Sequence, residues 1–122
     1  MSHFFGHGRL AYTQIPALDT RVSATFYADV FGWQIRGGNE RHLSFTDATG
    51  DMIGAFVSER APADDTGVVP YIYVHGLDAA LERIAGHGCE IVKAPYQEGD
   101  IWVATFRDPA GNVIGVWQRD PR

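Results

Sequence analysis

A chain of 122 residues can bury one real core but is short for two independent ones. Its 45% hydrophobic and 20% charged residues are ordinary for a soluble globular protein. A net charge of −5 with no basic run argues against nucleic acid, because phosphate binding needs clustered Lys and Arg. No apolar stretch approaches the length of a membrane span, and MSHFFGHGRL lacks the basic start and apolar run of a secretory signal. The lone Cys89 excludes an intramolecular disulfide. Together these suggest a reduced, cytoplasmic setting. The acidic balance mildly favours cationic ligands.

Residues 1–8 read as a leader. Arg9 to Pro16 alternates as a strand, with Tyr12 and Gln14 on one face and Ala11, Thr13 and Ile15 on the other. Asp19 or Thr20 can cap a helix running to about Phe31, with Val22, Phe26 and Val30 as its apolar stripe and Gly32 as its end. Trp33 to Arg36 is a short strand and Gly37-Gly38-Asn39 a turn. Arg41 to Asp47 and Met52 to Ser58 are strands joined at Thr49-Gly50-Asp51, which completes β-α-β-β-β. Residues 59–68, with Pro and Gly among polar residues, are a linker.

The series then repeats. Tyr71 to Val74 is a strand, and Asp78 caps a helix carrying Leu81 and Ile84 that stops at Gly86-His87-Gly88. Glu90 to Ala94 is a strand, and Pro95 to Asp100 a loop. Ile101 to Arg107 and Val113 to Gln118 form a hairpin around Pro109-Ala110-Gly111-Asn112. The repetition is visible in the letters. SFTDATGDMIGAF (44–56) matches TFRDPAGNVIGVW (105–117) without a gap, and YTQIPALD (12–19) matches YIYVHGLD (71–78). The chain is thus one domain over 1–122 built from a module used twice, at about 9–58 and 69–118.

A tandem β-α-β-β-β chain carrying Phe26-Tyr27, Phe31-Gly32-Trp33 and the late Asp108-Pro109-Ala110-Gly111-Asn112 resembles the vicinal oxygen chelate superfamily. That group includes glyoxalase I, extradiol dioxygenases, epimerases and bleomycin-resistance proteins. The resemblance covers residues 9–118. It implies an α+β fold whose two sheets curl around a shared cleft with the helices outside, and a homodimer with the cleft near or across its interface. Residues at even steps from Tyr12, Gly54, Tyr71 and Gly115 should then face the cleft. Tyr12, Gln14, His42, Ser44, Met52, Gly54, Phe56, Tyr71, Tyr73, Val103, Thr105, Val113, Gly115 and Trp117 would line it. Ile15, Ile53, Ile72, Val74, Ile114 and Val116 would pack under the helices.

Metal enzymes of this group draw His, Gln or Glu ligands from the first and last strand of each module. The aligned positions here are Tyr12, Gly54, Tyr71 and Gly115. Glycine offers no donor, and a phenol of pKa near ~10 is a poor one. A one-step slip brings in Ala11 or Thr13 and Ile53 or Ala55, which are no better. Hence no metal and no other cofactor is expected, and metal-dependent glyoxalase or dioxygenase activity is disfavoured.

The remaining histidines and carboxylates read as structural. His3 and His7 have helical ligand spacing, but Gly6 and Gly8 oppose a helix there. His75 belongs to an exposed turn and His87 to a helix end. His42 is the only histidine expected on the cleft face, where it could contact a ligand or shuttle a proton. Asp47 and Asp108 each accept N–H bonds in their own turn, rather than forming an acid–base pair. Cys89 is a small, partly buried side chain.

With its metal positions emptied, the cleft has aromatic walls (Tyr12, Phe56, Tyr71, Tyr73, Trp117), polar contacts (Gln14, Ser44, Thr105) and two glycines on its floor. That suits a small organic ligand, aromatic or cationic, held by a metal-independent binding protein. Alternatives are a lyase, isomerase or dioxygenase with a divergent site, working for example through His42 and Tyr71, or an accessory domain whose aromatics fill the cleft. No nucleic acid and no membrane partner is expected.

Overall fold

The computed structural model describes residues 6–122, so His3 lies outside the described residues. The chain divides into two compact units, Met1–Pro62 and Ala63–Arg122. The first holds β1 (Tyr12–Pro16), α1 (Thr20–Phe31), β2 (Gln34–Asn39), β3 (His42–Thr46) and β4 (Ile53–Val57). The second holds β5 (Tyr71–Tyr73), α2 (Leu77–Gly86), β6 (Ile91–Glu98), β7 (Ile101–Arg107) and β8 (Val113–Arg119). Each unit has one mixed four-stranded sheet, ordered β1-β4-β3-β2 and β5-β8-β7-β6. In both, the first strand runs parallel to the last, which requires the crossover helix between them. The fold is α+β, as expected from the duplication. No described helix is long and apolar enough to cross a membrane.

Helix α1 begins and ends where its sequence directs. The Asp19 carboxylate accepts from the Arg21 and Val22 N–H groups, and Gly32 closes the helix at φ 74°. Its buried face differs from the expected stripe. Ser23, Ala24, Phe26 and Tyr27 are buried, whereas Val22 is exposed. Past Gly32 the chain turns back, so that Trp33 stacks on Tyr27 at 4.5 Å and on Phe45 at 4.6 Å. Phe56 completes the cluster, 4.8 Å from Phe45 and 5.5 Å from Tyr27. Rings of this size contribute roughly 1.5–3 kcal/mol each on burial, and this stack is the core of the first unit.

Helix α2 does not begin as expected. Gly76 is its N-cap, and Asp78 lies inside the first turn, paired with Arg122 at 3.2 Å on the surface. The Leu77 N–H that a local cap would satisfy is instead bonded to Gln118 Oε1, at 2.8 Å and buried. A residue 41 positions away on β8 therefore caps the helix. The Gln118 amide nitrogen donates onward to the carbonyls of Arg119 and Pro121.

Two further connections differ from the sequence reading. Gly37 and Gly38 lie within β2, where the ladder shifts register between Ile35 and Gly37. The turn falls at Glu40-Arg41, where Asn39 Oδ1 accepts from Arg41 and His42. Pro95 to Glu98 is strand, not loop, and β6 meets β7 across the tight turn Gly99-Asp100. Proline is tolerated there because β6 is an edge strand with register shifts on both sides of Lys93.

Replacing Gln118 by Ala strands the Leu77 N–H and should lower stability by about 1–2 kcal/mol in urea unfolding. Asp78→Ala breaks only a surface pair and should stay within about 0.5 kcal/mol of the parent.

Candidate binding face

The two C-terminal hairpins match without a gap in sequence, yet they are built differently. In the second unit Arg107 pairs with Val113 across the five residues 108–112. In the first, Thr46 pairs with Ile53 across the six residues 47–52. The backbone closures agree: Asp108 N–H bonds to the Asn112 carbonyl, and Asp47 N–H to the Met52 carbonyl. One extra residue in a hairpin turns every following side chain to the opposite face.

Residues paired across a sheet share a face. In the first sheet Gly54 therefore pairs with Thr13 and Phe45, and Phe56 with Ile15 and Leu43, on the face packed under α1. This overturns the cleft placement of Gly54 and Phe56. A Cβ added at Gly54 would strike the Thr13 carbonyl and come within 2.5 Å of Phe45 Cζ, so the glycine serves core packing. Ile53, expected beneath the helix, is on the other face, partly exposed, and Met52 lies in the turn. The helix-free face keeps Tyr12, Gln14, His42 and Ser44 together, with Ala55 paired to both Gln14 and Ser44.

In the second sheet Tyr71, Tyr73, Val103, Thr105, Gly115 and Trp117 share the helix-free face, as alternation predicts. One row across the strands is Tyr71, Gly115, Thr105 and Lys93, and the next is Tyr73, Trp117, Val103 and Tyr96. The opposite face carries Ile114, Val116, Ala104 and Phe106, all buried, with Gln118 at the α2 N-terminus. Tyr73 meets Trp117 edge-on at 4.9 Å. The Tyr71 ring lies over Gly115, where any Cβ would overlap it. The middle of the face is covered (Val103 2%, Val113 3% and Thr105 6% exposed), while Tyr71 and Tyr73 remain 43% and 45% exposed. The Tyr96 phenol meets Tyr71 and donates to Glu98 at 3.3 Å. Burial first, then these neighbours, raise the Tyr96 pKa above the ordinary phenol value.

The twinned carboxylates act in their own turns. Asp47 accepts from Thr49, Asp51 and Met52, and buried Asp108 accepts from the N–H groups of Ala110 and Asn112 and from the Asn112 amide. Asn112 in turn accepts from Ala63 N–H, tying the start of the second unit to its last hairpin. His75 is exposed, and His87 is the C-cap of α2. Cys89 is partly buried, and desolvation followed by the Asp108 charge pushes its thiol up.

The corrected register also revises the candidate metal positions. The pair equivalent to Tyr71 and Gly115 is Gln14 and Ala55, not Tyr12 and Gly54. Only Gln14 offers an oxygen that needs no deprotonation, and one neutral amide does not hold a divalent ion. Among the described residues no three His, Cys, Asp or Glu side chains gather in a way that could hold one. The donor set does not fit the metal of the related enzymes.

Sequence reasoning missed one concavity altogether. An open groove of about 690 Å³ separates α1 from β2, bordered by Arg21, Ala24, Asp29, Arg36, Gly38 and Leu43 among others, and by none of the expected lining residues. Gly37 and Gly38 border it, and a Cβ added at Gly38 would strike the His42 carbonyl of β3.

This duplicated arrangement, two βαβββ units each with one mixed four-stranded sheet, defines a known class. Residues 9–116 match the Glyoxalase/Bleomycin resistance protein/Dioxygenase superfamily, and the chain belongs to that family. A glyoxylase-like domain-containing protein of Didymella fabae is 31% identical over 90 residues, 67% of this chain and 70% of that protein. CFP32 of Mycobacterium bovis is 24% identical over 124 residues, 93% of this chain, and the chain spans only 47% of its length. Among solved structures, a glyoxalase/bleomycin resistance protein/dioxygenase family enzyme from Burkholderia phytofirmans superposes with a TM-score of 0.76 at 20% identity, covering 92% of this chain and 99% of that one. TnmS3, an antibiotic binding protein from Streptomyces sp. CB03234, superposes with a TM-score of 0.70 at 22% identity, covering 94% and 98%. These likenesses establish the shared fold.

The two glycines should respond differently to alanine. Gly54→Ala meets backbone and a buried ring, and should cost about 1–3 kcal/mol of unfolding free energy. Gly115→Ala meets first the half-exposed Tyr71 ring, and should cost less while shifting the Tyr71 ring resonances. Ultraviolet titration should also show a phenol ionising above the usual range of about 10 that is absent from Tyr96→Phe. Above that pH the unfolded chain loses a proton that the folded chain keeps. The stabilisation from Tyr96 is therefore complete below about pH 10, and is lost as pH rises toward the folded value.

Proposed function

We propose that this chain is a metal-independent binding protein of the glyoxalase/bleomycin resistance type, holding a small organic ligand against the helix-free face of its second sheet. The observation that carries this reading is the row Tyr71, Gly115, Thr105 beside the row Tyr73, Trp117. There, aromatic rings and a glycine occupy the strands from which related enzymes draw metal ligands. The partly exposed rings of Tyr71 and Tyr73, the first lying over a glycine, suit stacking against a planar or cationic molecule. Taken by itself, the helix-free face of the first sheet carries the polar side chains Gln14, Ser44 and His42. The same fold serves antibiotic binding in TnmS3, which makes sequestration of a small molecule a role this scaffold supports. The protein works in the cytoplasm as a homodimer, in this reading, and performs no metal-dependent chemistry.

Incubation with Ni, Zn, Mn or Fe(II) followed by desalting and elemental mass spectrometry should leave metal near background. Near-stoichiometric retention would overturn the metal-independent assignment and turn the search to lyase, isomerase and dioxygenase assays.

A further inference from the structure

The helix-free face of the second sheet holds one polar group that the fold leaves without a partner. Thr105 is 6% exposed, and its Oγ1 is buried with no hydrogen-bond partner. Leaving a buried hydroxyl unpaired is costly, and native proteins rarely keep one. Thr105 sits on β7 between Gly115 of β8 and Lys93 of β6. It points to the same side of the sheet as Tyr71, Trp117 and Tyr96.

What covers this hydroxyl can move. Tyr71 comes from one outer strand and Tyr96 from the other, and their phenols meet. The pair therefore spans the two inner strands that carry Gly115 and Thr105. The Tyr71 ring occupies the space over Gly115 but is 43% exposed, so rotation about its side-chain bonds can free that space. Gly115 and Thr105 are fixed in the ladder and cannot follow it.

We infer that the space over Gly115 and Thr105, a recess once the Tyr71 ring rotates away, is a subsite for a neutral planar aromatic bearing a hydroxyl or carbonyl. The ligand ring takes the place of the Tyr71 ring over Gly115, and the ligand oxygen completes Thr105 Oγ1. A threonine hydroxyl donates to a carbonyl and accepts from a phenol equally well. The charges nearby select against an ion. The Lys93 ammonium lies 5.9 Å from the Tyr96 ring centre, and Glu98 takes the Tyr96 phenol, so one cation and one anion flank the recess. This assignment rests on the small-molecule-binding reading above and narrows it to one ligand class.

The test compares naphthalene with 1-naphthol, two planar probes that differ by one hydroxyl. Both are titrated into the whole protein and followed by the amide resonances of β5, β7 and β8. In the parent, 1-naphthol should bind about five- to tenfold more tightly than naphthalene, the worth of one hydrogen bond to an otherwise unpaired group. In Thr105→Val, nearly isosteric but without the hydroxyl, that preference should fall to about onefold while naphthalene affinity is kept or improved. If Thr105→Val does not fold, Thr105→Ala is read in the same way. Retention of the preference in the folded variant, or its absence from the parent, would overturn the subsite and leave the binding reading standing. No response of these resonances to either probe would overturn both.

Discussion

The side chains of a β-strand alternate, so the length of the turn that precedes a strand decides which of its residues reach the core. In this protein that constraint acts through a single residue. Six residues join β3 to β4 and five join β7 to β8, although the two segments align letter for letter. The extra residue places Gly54 and Phe56 under α1, and their sequence twins Gly115 and Trp117 on the helix-free face.

Two modules with one pattern consequently have different interiors. The first is held by a run of stacked rings from Tyr27 through Trp33 and Phe45 to Phe56, which fits because Gly54 leaves room for Phe45. The second fills its core with Ile84, Ala104, Ile114, Val116 and a single ring, Phe106. Tyr71, Tyr73, Tyr96 and Trp117 lie on the opposite face. A duplication that began as a repeat of one fold thus separates structural aromatics in one half from potential ligand-contacting aromatics in the other.

What was legible in the sequence was legible for local reasons. Asp19, Gly32, Asp47 and Asp108 act within a few residues of themselves, and each took the role its neighbours implied. The β1 and second-sheet faces followed directly from alternation. The failures were of another kind. The α2 cap comes from Gln118, 41 residues downstream, and no local pattern announces it. Pro95 reads as a breaker, yet on the outer side of an edge strand no neighbour is there to miss its N–H. Gly37-Gly38 reads as a turn, but Asn39 fixes the turn two residues later.

The sequence by itself determined the duplicated βαβββ plan and the poverty of metal donors. Both are properties of residue identity and order, and both survive a one-residue slip: Ala55 in place of Gly54 still offers no ligand. The tertiary structure decided which glycine packs a core and which lies beneath a tyrosine, and it left Thr105 without a partner. Those outcomes depend on hairpin register and on contacts between distant strands, and a gapless alignment of two similar segments carries no information about either.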